Sequence, residues 1–184
     1  MSATYEALDD KLVAFIKAQK LFFVATAPLS AEGSVNLSPK GYDSFAVIDH
    51  HTVAYLDLGG SGIETHAHVR ENGRITFMFC AFDGPANIVR IYGRAEAFSF
   101  DHPRYAELRP LFAMTQPARG IILCHVTRVT DACGWGVPFY DYRGEREQLT
   151  RYIDNKTPDE WFESRYVRNA VTVDGAPGLV RPED

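Results

Sequence analysis

The sequence is short of several things. Its 184 residues include three cysteines, Cys80, Cys124 and Cys133, and no two of them form a CxxC pair. An odd, scattered set excludes a disulfide framework or a zinc ribbon and fits a reducing cytoplasm. No stretch of about 18 apolar residues occurs, so no membrane-spanning helix is expected. Lysine and arginine total 19 against 24 acidic residues, for a net charge of −5. That balance argues against a generic nucleic-acid or anionic-membrane binder. The opening MSATYEALDDKLVAF lacks the basic stretch and small-residue cleavage pattern of a secretory signal.

Several catalytic patterns are absent too. There is no Gly-Lys-Ser/Thr P-loop, and Gly60-x-Gly62 lacks the third glycine of a dinucleotide fingerprint. No alternating βαβαβ pattern follows those glycines, which excludes a Rossmann domain. Serines, cysteines and histidines occur without a nucleophile elbow, so a hydrolase has no support.

What is present suits one domain over residues 1–184. Hydrophobic residues make up 46%, enough to bury a core without covalent staples. Leu8, Leu12, Phe15 and Ile16 recur at helical spacing and predict an amphipathic helix over 5–19, within an N-terminal segment 1–20. Residues 21–26 read as a buried strand. Residues 35–41 read as a second, whose Pro39 requires an edge position or a bulge. Residues 45–48 and 52–58 form a hairpin around Asp49-His50-His51.

A helix over 63–72 follows, with Ser61-Gly62-Ile63-Glu64 as its capping box and Asn72-Gly73 as its C-cap. Strands at 74–82, 88–99 and 119–130 come next, with a helix from Asp101 that turns Tyr105, Leu108 and Phe112 inward. Residues 134–140 read as irregular or short-stranded. Segment 143–184 holds C-terminal helices, one opened by Thr157-Pro158-Asp159-Glu160, and a tail. His66 and His68 read as surface histidines. Six or seven short strands interrupted by helices predict an α+β fold with a closed or partly closed antiparallel barrel.

Four features could carry chemistry. A strand, the cluster Gly59-Gly60-Ser61-Gly62 and a helix start would aim free N–H groups at a phosphate, with Ser61 and Thr65 adding hydroxyls. Alternatively, Ser61 only caps the helix, and Glu64 would repel a phosphate. Ser38-Pro39-Lys40-Gly41 could present Lys40 to a phosphate or an aromatic cofactor, or could simply blunt a sheet edge. Arg90 and Arg94 share a strand face, either as an anion patch or as a solvated surface. Trp135, between two glycines, is a candidate stacking lid or a core filler.

At these residues the chain resembles the pyridoxamine 5′-phosphate oxidase-like family of split-barrel flavoproteins. The resemblance runs through Val35-Asn36-Leu37-Ser38-Pro39-Lys40-Gly41, through Val53 to Thr65, through Arg74 to Phe82 and through Ile88 to Glu96. It covers roughly residues 10–178 and is similar to a branch with a Cys-Gly-Trp-Gly-Val-Pro motif. The resemblance implies a six- to seven-stranded antiparallel split β-barrel with flanking helices. It also implies a homodimer with FMN at the interface and an oxidoreductase acting on a small molecule. Related split barrels also imply the alternative of a non-catalytic flavin, deazaflavin or haem-binding module. Carried over, Ser38 and Lys40 would contact the flavin, and Leu56 and Asp57 would line it through their backbone. Ser61, Gly62, Thr65 and Arg90 would meet the phosphate, and Trp135 could come from the second subunit. The family's Arg-Lys phosphate pair falls on Ser61 and Gly62, so N–H donors and hydroxyls would replace side-chain charge. The tail holds no counterpart of the family's C-terminal substrate signature, so vitamin B6 oxidation is not implied.

Overall fold

The computed structural model describes residues 2–182. Its strands are β1 (Ala3–Tyr5), β2 (Phe22–Thr26), β3 (Asn36–Lys40), β4 (Phe45–Asp49), β5 (Thr52–Asp57), β6 (Arg74–Cys80), β7 (Ile88–Ser99) and β8 (Gly120–Ala132). The helices are α1 (Asp10–Ala18), α2 (Glu64–Asn72), α3 (Pro103–Leu108), α4 (Gln148–Asp154) and α5 (Pro158–Arg168). One antiparallel sheet runs β3-β2-β6-β7-β8-β5-β4, with β1 added beside β8. It curls into a half-barrel flanked by helices, an α+β split barrel.

Local chemistry accounts for most boundaries. Pro39 sits in β3, which is bonded on one side only, so its missing N–H costs no ladder bond. Gly73 closes α2 in the left-handed region (φ 69°) and donates its N–H to Val69 O, as its position after Asn72 predicts. The capping box at Thr157 and Glu160 is present in full. Strand β5 is buried on both faces. Val53 and Tyr55 join the barrel core with Phe22, Phe77 and Ile91, while Ala54 and Leu56 join a second cluster with Phe98, Phe112 and Ile121. α1 drives Leu12 and Ile16 into the barrel core, where Leu8, just before the helix, joins them.

Four expectations are corrected. The first helix starts at Asp10, capped by Asp9, because residues 3–5 pair with β8 instead. Ser61 does not cap α2: the cap position is Ile63 with no side-chain bond, and Glu64 reaches instead to Val173 N–H at 3.1 Å. The helix expected from Asp101 is capped by His102 and ends at Leu108, leaving Phe112 beyond a short 3₁₀ turn. His66 and His68 are buried, not surface residues, because β2 and β7 pack against their helix. Among the described residues no helix is long and apolar enough to cross a membrane.

Candidate functional site

A cleft of about 520 Å³ opens where the C-terminal end of β3, the glycine loop and the start of α2 meet. Ser38, Lys40, Ser61, Gly62 and Thr65 all line it, joined by Asn36, Glu64, Arg119 and residues 171–173. Five of the sequence-derived candidates therefore converge, although 20 residues separate Lys40 from the loop. Antiparallel pairing brings this about. Asn36, Ser38 and Lys40 alternate onto the inner face of β3, opposite Thr26, Val24 and Phe22.

Behind the cleft lies a buried charge network. Asp57, the last residue of β5, is 1% exposed. Arg119 grips its Oδ2 through Nε at 3.1 Å and Nη2 at 2.7 Å, and donates its backbone N–H to Asp57 O at 2.7 Å. Lys40 Nζ stands 3.9 Å from Asp57 Oδ1 and 5.9 Å from the centre of the Tyr55 ring. His66 Nε2 lies 3.2 Å from Asp57 Oδ2 but out of line for a straight hydrogen bond. Burial alone would raise the Asp57 carboxyl, but Arg119, Lys40 and His66 outweigh it and hold the group well below the usual carboxylate range. Burial lowers the His66 pKa and so favours the neutral imidazole, against the contact with Asp57, which raises it. Burial and then the Asp57 charge push the Tyr55 phenol well up, so it stays protonated.

The glycine loop is held from behind. Asn169 Nδ2 donates to Gly60 O at 3.2 Å and Ser61 O at 3.4 Å, Arg165 Nη1 reaches Gly60 O at 3.5 Å, and Arg119 Nη1 donates to Gly62 O at 2.5 Å. Carbonyl and N–H point in opposite directions across a trans peptide. Turning the Gly60 and Ser61 carbonyls toward α5 and the residues after it therefore turns the Ser61 and Gly62 amides away from that clamp, to the open side. Among the described residues neither amide has an internal acceptor. Thr65 Oγ1 accepts from Asn36 Nδ2 at 3.0 Å, and Ser38 Oγ donates to Asn36 Oδ1 at 2.9 Å. The Ser61 and Gly62 amides and the Thr65 hydroxyl are the donors that an anion would meet.

Four candidates, Leu56, Asp57, Arg90 and Trp135, are not among the residues lining this cleft. Leu56 is buried and donates its N–H to Ser44 O, while Asp57 O accepts from the Arg119 N–H. Asp57 acts instead through its side chain, on Lys40 and Arg119. Arg90 pairs with Met78 and Thr130 on the outward face of β7, alternating with the fully buried Val89 and Ile91, and does not reach this cleft. Trp135 is 84% exposed on the segment after β8 and lines no part of it.

Sequence reading missed Arg119, Asn36, Arg165, Asn169 and the 171–173 wall. One signal was available: Asp57 ends an otherwise apolar strand, and a carboxylate in so buried a setting requires a partner. Nothing local marked which arginine that would be.

A family model described as pyridoxamine 5′-phosphate oxidase matches residues 8–133. The chain belongs to that family. The pyridoxamine 5′-phosphate oxidase family protein ustO of Aspergillus flavus is 34% identical over 198 residues, covering 97% of this chain and 78% of its own. Two solved structures share the fold. A variant of HupZ from Group A Streptococcus has 21% identity and a TM-score of 0.51, covering 67% of this chain and 98% of its own. A protein related to general stress protein 26 from Clostridium acetobutylicum has 12% identity and a TM-score of 0.50, covering 68% and 91%. In this member of the pyridoxamine 5′-phosphate oxidase family, the clamp residues Arg165 and Asn169 lie beyond the part that the family model matches.

Proposed function

We propose that this protein binds FMN and works as an oxidoreductase on a small molecule. The observation that carries the reading is the glycine loop. Its Gly60 and Ser61 carbonyls are bonded from behind and its Ser61 and Gly62 amides are left free, with Lys40 on the same cleft. The residues present fit the group. The volume of about 520 Å³ falls within the roughly 300–1,000 Å³ of small-molecule sites. The free amides and the Ser61 and Thr65 hydroxyls suit a phosphate, and Ser38 and Lys40 suit the polar edge of a flavin. When bound, the flavin supplies the electron- or hydride-transfer chemistry. The chain's own residues bind and orient: Asp57 fixes Lys40 and Arg119, and Arg119 in turn braces the loop at Gly62.

We further propose a homodimer whose partner completes the site. Trp135, Phe139, Tyr140 and Tyr142 are exposed on one segment, an apolar surface suited to meeting a second copy. Three unpaired cysteines favour the cytoplasm as the setting. The experiment is a spectrum of the purified protein followed by FMN titration. A yellow protein taking up about one FMN per chain is expected. Colourless protein with no flavin uptake sinks the reading, and a Soret band would move it to haem.

A further inference from the structure

Glu64 is the one acid lining the cleft whose carboxylate is paired with no cation among the described residues. Its Oε1 accepts the Val173 N–H at 3.1 Å, which tethers the C-terminal arm to the first turn of α2. The carboxylate also folds back over the glycine loop, so that a β-carbon at Gly62 would collide with it. It therefore stands over Gly62, whose amide is one of the donors that a phosphate needs. The cleft's cations do not balance it. Lys40 and Arg119 are both already directed at the buried Asp57.

We propose that Glu64 is a specificity-determining residue that sets the charge preference of this subsite. Its carboxylate biases the cleft against a dianionic terminal phosphate, so a phosphorylated flavin is held in reversible exchange rather than locked in place. Like charges at close range with few counter-ions cost affinity, and the penalty falls on the phosphoryl end alone. A neutral ligand of the same shape does not feel it. The inference rests on the flavin-phosphate reading of the cleft.

The test is Glu64→Gln, which keeps an oxygen for the Val173 N–H and removes the charge. Dissociation constants for FMN and riboflavin are measured by flavin fluorescence, and inorganic phosphate is titrated by its effect on the melting temperature. The variant should bind FMN about tenfold tighter with riboflavin unchanged within about twofold, and phosphate should protect it at about tenfold lower concentration. Glu64→Ala, which also gives up the Val173 bond, should show the same gain for FMN over riboflavin. Equal changes for both flavins, no change, or weaker FMN binding in both variants overturns the proposal. If the wild type binds neither flavin, the flavin reading fails, and the phosphate arm still decides the role of Glu64.

Discussion

Replacing Arg119 with Met offers a quantitative test of the buried charge network. Arg119 and Asp57 are 3% and 1% exposed, so solvent screens their interaction little. The substitution removes both guanidinium bonds to Asp57 and the bond to Gly62 O while keeping most of the side-chain volume. It leaves a buried carboxylate with Lys40 at 3.9 Å and a His66 that burial keeps neutral. Breaking a buried pair from one side costs about 3–5 kcal/mol. The sign with pH follows from the Asp57 shift. In the wild type its lowered carboxyl contributes stability above the unfolded value of about 3.9, lost only as pH falls toward the lower folded value. Without Arg119, burial dominates and lifts the carboxyl, so the ionised group costs stability as pH rises. Urea unfolding of both proteins at pH 7 and pH 4 should give a difference of about 3–5 kcal/mol that narrows at pH 4. Adding Asp57→Leu to Arg119→Met should recover most of it at pH 7. A loss below about 1 kcal/mol at pH 7, or equal losses at both pH values, would refute the argument.

Two further outcomes follow from burial and capping. Burial pushes the Cys124 thiol up to about 12 and raises Cys80 as well, whereas Cys133 is exposed. A thiol reagent should label one cysteine per native chain quickly and all three in denaturant, and two fast thiols would contradict that burial pattern. Thr157→Ala removes the hydroxyl that accepts the Glu160 N–H and should cost about 1 kcal/mol in denaturant unfolding, with a wild-type value pointing to a frayed α5 start.

The elements that were legible in sequence are those whose signals are local. Pro39 required an edge or a bulge, Gly73 a left-handed helix end, and Thr157 with Glu160 a capped helix start, and each is decided within four residues. The α2 start misled for the same reason. Ser61 and Glu64 have capping-box spacing, but Glu64 finds the Val173 N–H, 109 residues away in sequence, and Ser61 is left to the cleft. For Arg90 both readings stayed open, because alternation says that two residues share a face but not which face is inward. Only pairing with β6 and β8 turns Arg90 outward.

The sequence alone therefore determined every strand but β1, most helices and the clustering of polar groups at Ser38–Lys40 and Ser61–Thr65. The physical terms involved, backbone conformation and apolar periodicity, act over a few residues. Tertiary structure alone decided that Arg119 neutralises Asp57, that Arg165 and Asn169 hold the loop carbonyls, and that residues 171–173 wall the cleft. Those contacts join segments 57 to 109 residues apart. A buried charge states that it needs a partner, but only the folded sheet brings one within 2.7 Å.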